Sequence, residues 1–441
     1  MKRILILLYC LWPAFLFGQG ILSTLDGMHS VSKGETWESV SSRYGVSVMD
    51  LRAANPDVKS QKLKKGTLLI VPKSHEQTTL VPVSEVPEKP LRIIRTVISD
   101  LKVGVMLPLS DKKMVEFYRG LLMAADSVRK SGVNLDIHAW DCGTTSAQVE
   151  ALLPQISELD VLFGPASATQ IPVVAEACKE RGIRLVLPFF TGQTLQEYPL
   201  VYNAEASSVV LFGAAAQKLV SYYTDRNYVI VGSGKSDVKG KIMADALKQN
   251  LAQHSLTPRV LALEGDDFAY EAAFNQFRDN MILLDDSSLP SLEVLLSHLK
   301  EFRSKHPQYR LSLIGYPEWQ GESERLMEEL FASDAYILTP YYYNTLDDKV
   351  KRFERTYAKN FRAYIMKENP RYAALGYDLG CYFLSGLSTQ GDTFEQMQSG
   401  LRQEPYQSWF RFERSASALS FSNSFVQFVH YTPESKIELI R

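Results

Sequence analysis

From Leu101 to Pro340, short apolar runs alternate with amphipathic stretches at helical spacing, and this alternation restricts the possible folds more than any other feature of the chain. The first series of runs is Lys102 to Leu107, Leu135 to Trp140, Val161 to Phe163 and Arg184 to Pro188, with helical patterns at 116–131, 148–157 and 171–181 between them. Strands joined by helical crossovers must lie parallel, and a parallel sheet must be covered on both faces. A second series follows at Tyr228 to Gly232, Arg259 to Glu264, Asn280 to Asp285, Arg310 to Gly315 and Ala335 to Pro340, with helices expected at 241–252 and 293–305. Two long helical patterns, 349–367 and 372–387, precede a Phe- and Ser-rich strand region from Trp409 to the end. The expected fold class is therefore α/β, with two doubly wound parallel-sheet lobes.

The rest of the 441 residues is organised by composition. Met1-Lys2-Arg3, an apolar run from Ile4 to Phe17, then Gly18-Gln19-Gly20 follow the order of a secretory signal peptide, expected to span 1–18. The run is shorter than the roughly 20 residues of a spanning helix, so no transmembrane span is expected in the mature chain. A lipoprotein reading of Cys10 meets a bulky Tyr9 where a small residue is needed. Residues 74–100 gather Pro82, Pro87, Pro90 and several glutamates, which is linker composition. Lys and Arg total 48 against 50 Asp and Glu, giving a formal charge of -2, and this balance does not point to nucleic acid. Beyond Cys10, Cys142, Cys178 and Cys381 allow one bridge at most.

Ahead of the linker, His29 to Gly34 read as a short strand, and Thr36 is placed to cap a helix carrying Trp37, Val40 and Tyr44. Val48 to Ala54 read as a second helix stopped at Asn55-Pro56, and Leu68 to Val71 as a returning strand. This βααβ order over 27–73 resembles a lysin motif (LysM), a module that binds N-acetylglucosamine-containing glycan. The resemblance implies a glycan site on the two loops Gly34, Glu35, Thr36 and Asn55, Pro56, Asp57, with peptidoglycan glycan strands as partner.

The body, 101–441, resembles type I periplasmic binding proteins, the family of branched-chain amino-acid receptors. The residues that carry this are Gly104-Val105-Met106-Leu107-Pro108-Leu109, Ala124-Ala125-Asp126, Asp141 with Gln148, Leu162-Phe163-Gly164-Pro165-Ala166-Ser167, and Tyr372 to Asp378 as a return helix on the first lobe. Lobe 1 is expected at about 101–220 and 345–405, lobe 2 at about 221–344 and 406–441. The resemblance implies a cleft at the strand C-terminal ends, where helix N-termini favour an anionic group. Candidate solute-binding residues are Ser110, Ser167, Ala168, Thr169, Thr191, Tyr202, Tyr316 and Tyr341. Ser167 or Thr169 could equally cap its own helix, and the tyrosines could be buried between lobes. The family's Phe-Arg-x-x-Pro-Ser-Asp stretch stands here as Tyr202-Asn203-Ala204-Glu205-Ala206-Ser207-Ser208, without its arginine and proline.

Other signals carry less. Gly232-Ser233-Gly234-Lys235-Ser236 imitates a P-loop end but has Val229 where the first glycine belongs. The histidines are scattered without metal-ligand spacing, no nucleophile elbow occurs, and neither a cofactor nor an enzymatic reaction is expected. The sequence thus reads as an exported, periplasmic or cell-envelope protein that binds peptidoglycan through its LysM and a small solute, such as an amino acid or peptide, through its lobes. The alternative is a scaffold that recruits or regulates cell-wall synthesis or transport proteins, because outer-membrane regulators of peptidoglycan synthases use the same fold.

Overall fold

The computed structural model describes residues 25–31, 33–44, 48–55, 58, 60, 62–72, 97–189, 195, 197–397, 404–414 and 418–441. The expected signal peptide, most of the linker, and Pro56, Asp57 and Thr191 lie outside the described residues. Two compact units result, Met1–Arg92 and Ile93–Arg441, and each is described by itself.

In the first unit, β1 (Leu25–Ser30) pairs antiparallel with β2 (Leu68–Pro72), and between them run α1 (Trp37–Tyr44) and α2 (Val48–Ala53). Val31, Trp37, Val40, Leu51 and Leu69 form its buried core, as the helical spacing requires. Thr36 caps α1 as expected: its hydroxyl accepts from Ser39 N at 3.2 Å, while Ser39 Oγ accepts from Thr36 N at 2.8 Å.

The second unit is built on two seven-stranded sheets. The first opens with β3 (Asp100–Leu107), α3 (Lys112–Arg129), β4 (Asn134–Asp141), α4 (Ser146–Glu150), β5 (Val161–Phe163), α5 (Ile171–Arg181), β6 (Arg184–Leu187) and β7 (Val201–Asn203). The chain then enters the second with α6 (Ser208–Tyr222), β8 (Asn227–Gly232), α7 (Val238–Gln253), β9 (Arg259–Ala262), α8 (Asp267–Ala273), β10 (Asn280–Leu284), α9 (Leu289–Lys305), β11 (Leu311–Gly315), α10 (Met327–Ala332) and β12 (Ala335–Thr339). It returns to the first through α11 (Asp348–Phe361), α12 (Tyr372–Gln390), α13 (Phe394–Met397), β13 (Phe412–Glu413) and β14 (Phe421–Asn423), and finishes in the second with β15 (Gln427–Tyr431) and β16 (Ile437–Ile440).

Strand order is β13-β14-β7-β6-β5-β3-β4 in one sheet and β16-β15-β12-β11-β10-β8-β9 in the other. The four strands of the first alternating series and the five of the second are parallel and doubly wound, as expected, β7 adds a further parallel strand to the first sheet, and β13, β15 and β16 pair antiparallel toward the edges and make both sheets mixed. Two placements differ from the lobe boundaries read from sequence. β13 and β14, expected in lobe 2 with 406–441, extend the first sheet through parallel pairing of Phe421 with Tyr202. α6, expected in lobe 1, packs Phe212, Ala215, Ala216, Leu219 and Val220 into the core around the second sheet. Pattern identifies a strand but not which sheet edge remains free for it. Helix lengths differ too. Pro154 turns the pattern at 148–157 into α4 and a short 3-10 turn at Leu153–Ile156, and α11 stops at Phe361 because Arg362 adopts φ 52.

Chain segments cross between the sheets at β7 to α6, β12 to α11 and β14 to β15. What holds the second crossing is the contact of α12 with α3. A Cβ at Gly120 would lie 2.0 Å from Ala373 O, and one at Gly376 2.0 Å from Phe117 O, so the two backbones touch where both helices carry glycine. Buried Glu116 on α3 accepts from Met366 N at 2.7 Å and Ala373 N at 3.2 Å, supplying the N-terminus of α12 with a carboxylate that its own cap residue does not provide. Asp378 on α12 is fully buried and accepts from Tyr406 N, Gln407 N and Ser408 N, each at 2.8 Å, which fixes the 406–408 segment.

Replacing Gly120 by Val should destabilise the body by about 3 kcal/mol in urea unfolding, since the new atoms meet backbone that cannot turn away. Gly213→Ala, in α6 with nothing within 4 Å of its Cβ, should instead stabilise by about 0.5–1 kcal/mol. A Gly120→Val protein of unchanged stability would contradict the helix contact. Burial pushes the Asp378 carboxyl up to about 7, against the pull of its three backbone donors. The folded state therefore holds a proton between about pH 4 and 7 that the unfolded chain has released, and this contribution to stability is complete below about pH 4 and lost as pH rises toward 7. Stability measured across that window should fall less steeply in Asp378→Asn than in the parent; identical slopes would refute the assignment.

Candidate functional site

In the first unit the predicted glycan loops are bound to the helices they flank. Gly34 and Thr36 are exposed and Glu35 is half-buried, on the turn that leads into α1. Asn55 is buried, at 7 % exposure, and its side-chain amide donates to Leu51 O at 2.7 Å, closing the last turn of α2. The Trp37 indole donates to Ser60 O at 3.1 Å, and the guanidinium of Arg52 lies 5.2 Å from its ring centre, so the start of α1 is tied to the loop after α2. Asn55 thus shapes the loop after α2, while Gly34 and Thr36 stay exposed on the turn before α1.

In the second unit the doubly wound order reverses between β3 and β5 and again between β8 and β10, and the loops at these strand ends are where a crevice is expected. Ser110 follows β3 and is exposed. After β5, Gly164 has φ 92, and a Cβ there would lie 2.1 Å from Met106 O, so only glycine lets this loop lie against β3. Ser167, Ala168 and Thr169 come next, beside the switch point, as predicted from sequence. Their hydroxyls neither cap α5, whose cap residue is Gln170, nor point away from the fold. Ser167 and Thr169 Oγ1 lie 3.0 Å apart and donate to Thr144 O at 3.4 and 3.3 Å, and Ser146 Oγ donates to Thr169 O at 3.0 Å. These bonds clip the loop after β4 to the loop after β5. Buried Gln170 strengthens the clip by donating to Cys142 O and Thr145 O, and Asp141 accepts from Leu109 N and Gly143 N.

The corresponding rim of the second sheet is acidic and equally occupied. Asp285 accepts from Ser233 N at 2.7 Å and Ser236 Oγ at 2.5 Å. Asp237 caps α7 through Gly240 N at 2.6 Å and accepts from Ser287 Oγ at 2.5 Å, and Asp286 accepts from Ser288 N and from the Ser288 and Ser291 hydroxyls. A Cβ at Gly240 would lie 1.9 Å from Asp285 O, so the start of α7 closes directly on the loop after β10. These bonds hold Asp237 below the usual carboxylate range against the burial that raises it. Asp285 and Asp286 thus form a serine-bonded cluster, and the sequence signal for it is the Asp-Asp-Ser-Ser run itself.

The predicted aromatic walls separate. Tyr202 is fully buried in the first sheet's core, its hydroxyl donating to Glu395 Oε1 at 3.0 Å and its ring stacked on Phe421 at 4.7 Å. It serves a buried ion pair in which Arg184 Nε and Nη2 reach the Glu395 carboxylate at 2.6 and 3.1 Å. Tyr316 is also buried, donating to Leu284 O at 2.6 Å against Trp319, whose indole donates to Ser287 O at 2.7 Å. Neither ring is available to wall a cleft, a correction to the sequence reading, because each was a strand-end aromatic with a core to fill. Tyr341 is half-buried against the first sheet's core, on the second crossing. Cys142, Cys178 and Cys381 are free and buried, and burial pushes their thiols up to about 11, 12 and 12. Among the described residues no group of three His, Cys, Asp or Glu side chains is placed to hold a metal ion, and no helix is long and apolar enough to cross a membrane.

The LysM domain family matches residues 29–72. No curated protein matches the chain. Among solved structures, a putative branched-chain amino acid ABC transporter protein from Rhodospirillum rubrum is similar at a TM-score of 0.54 and 15% identity, over 77% of this chain and 100% of that one. Full-length LpoA from Haemophilus influenzae is similar at 0.52 and 12% identity, over 79% of this chain and 60% of that one, so the chain spans well under two thirds of LpoA. An ABC transporter substrate-binding protein from Desulfitobacterium hafniense, solved with Leu, scores 0.43 at 16% identity over 77% of this chain and 100% of that one. Residues 29–72 are thus a LysM domain, and the body has the bilobed fold of type I periplasmic binding proteins.

Proposed function

We propose that this protein is an exported, non-enzymatic, peptidoglycan-associated binding protein whose LysM domain holds N-acetylglucosamine-containing glycan while its bilobed body recognises a second ligand in the cell envelope. The observation that carries the reading is the LysM match over 29–72, on a unit whose glycine turn and Thr36 cap leave backbone exposed on the loop before α1. An apolar run at the N-terminus with signal-peptide order supports export. Gly34, Glu35, Thr36, Asn55, Pro56 and Asp57 are the proposed glycan loops.

For the body, a solute such as an amino acid or peptide, closed upon at the strand ends by hinge motion, keeps Ser110, Ser167, Ala168, Thr169, Thr191 and Tyr341 as its contacts. A second reading, the scaffold for cell-wall proteins, is favoured by a specific observation: the Ser167 and Thr169 hydroxyls and the carboxylates of Asp237, Asp285 and Asp286 already serve bonds between the protein's own loops. A surface of this kind presents a fixed shape rather than a set of free donors for a carboxylate.

Asn55→Ala with Pro56→Ala should abolish co-sedimentation of the full chain with peptidoglycan sacculi, and Glu35→Ala, made on the turn before α1, should weaken it with the circular dichroism spectrum unchanged. Full retention by both variants would remove these loops from the proposal. The body's readings separate in a thermal-shift screen of the full chain against amino acids and short peptides. A solute at a hundredfold excess over Kd adds about 2.7 kcal/mol and a clear rise in Tm, and a flat screen decides for the scaffold.

A further inference from the structure

A groove of about 900 Å³ lies between α6 and the β13–β14 hairpin, and its lining includes Lys218, Tyr222, Arg411, Arg414, Ser422 and Ser424. It is a volume suited to a ligand of several sugar or amino-acid units. Its charge is dominated by cations. Among the described residues Lys218 donates to a carbonyl, Val426 O at 3.4 Å, and its ammonium lies 5.4 Å from the Tyr222 ring centre; Arg414 donates to Pro199 O at 3.0 Å and sits 4.1 Å over the Phe421 ring; Arg411 lies 6.0 Å from the Phe425 ring centre. Among the described residues none of the three has a carboxylate within ion-pair distance. Arg441, also on the groove, is paired with Glu404 at 3.2 Å. Of the two lining acids, Glu413 accepts from Ser424 Oγ at 2.5 Å, and Glu205 stands on the β7 to α6 crossing.

Burial, and then the nearby Arg411, make the Lys218 ammonium costlier to keep charged. Three cations without an ion-pair partner among the described residues, the half-buried Lys218 and the exposed Arg411 and Arg414, outweigh Glu205 and Glu413 on the same groove and favour an anion, which gains charge-assisted bonds there. The groove also carries an exposed aromatic face, Tyr222 at 62 % exposure, and exposed Val209 at 65 %, beside several serine hydroxyls. Guanidinium and ammonium donors for an acid group, hydroxyls for hydroxyls and an aromatic face for an apolar sugar face form one recognition chemistry.

We infer that this groove binds an anionic sugar, a carboxylate- or phosphate-bearing saccharide, through Lys218, Arg411 and Arg414 with Tyr222 as its stacking face. It is a second sugar site outside the LysM domain and rests on the wall-associated reading only for the choice of sugar. One wall belongs to the first sheet's hairpin and the other to a helix of the second sheet's core, so an occupant touches both lobes.

The test is calorimetric titration of the full chain with three probes: a disaccharide-tetrapeptide fragment of peptidoglycan, which carries free carboxylates; glucosamine 6-phosphate; and the neutral dimer of N-acetylglucosamine. Binding of either anionic probe that weakens as salt is raised, with Kd about tenfold higher in Lys218→Gln and in Arg411→Gln, is the expected result, and the probe bound more tightly names the source of the charge. Arg414 also holds the Pro199 carbonyl, so these two variants carry the test without it. Both should sediment with sacculi less completely than the parent does, whereas the Asn55 and Pro56 variant should lose sedimentation and keep the salt-sensitive binding of the soluble probes. Absence of binding by both anionic probes, equal affinity for the neutral dimer, or affinities untouched by the two substitutions would overturn the inference.

Discussion

The body depends on one close contact, the crossing of α3 and α12 at Gly120 and Gly376. Because backbone meets backbone there, no side chain can adjust to a shift, and the register of the two helices is set to within an atom's radius. That register places Glu116 under the N-terminus of α12 and Asp378 under the 406–408 segment. Both carboxylates are buried, and burial raises both, so each remains in place only because backbone donors meet it. The same segment receives the second crossing, since Tyr342 N donates to Gln407 O at 3.2 Å. A steric contact in one lobe therefore positions the strip of chain that leads from the other.

The strand ends follow a different logic. In a receptor cleft the loops leave donors facing solvent until a ligand arrives, whereas here the loops after β4 and β5 bond to one another, as do those after β8 and β10. The second rim collects three carboxylates and satisfies them with serines and backbone N–H groups, which makes it rigid and negative. Charge of that sign disfavours an anionic ligand, and the arginine that the resembling family carries near Tyr202 has no counterpart at that position in this chain. Cations are gathered instead in the groove beside α6, where Lys218 and Arg411 stand together.

The sequence made the architecture legible because period and punctuation are local properties. Thr36 as a cap and the alternation of strands and helices appear where spacing placed them. What it concealed depends on distant partners. Tyr202 sits at a strand end in both a receptor wall and a core, and only Arg184 and Glu395, far apart in the chain, decide for the core. Phe412 and Phe421 read as strand residues with no sign of their sheet, which was fixed by the free edge of β7. The groove was invisible for the same reason, since Lys218, Arg411 and Arg414 come together through that edge pairing and not through any motif.

A LysM domain of one copy holds glycan modestly, and a second sugar contact on the same chain changes the arithmetic of retention. Once one module is bound, the other meets the wall at the concentration set by the linker, and the combined affinity exceeds either alone without any new contact. Residues 74–100, proposed as the linker, carry Pro82, Pro87 and Pro90 among several glutamates. An occupant of the groove would also touch elements of both lobes, and a ligand that contacts two lobes differently in two arrangements shifts the balance between them by its differential affinity. Retention and conformational response would then be one event, in which the polymer that holds the protein also sets the arrangement of its body.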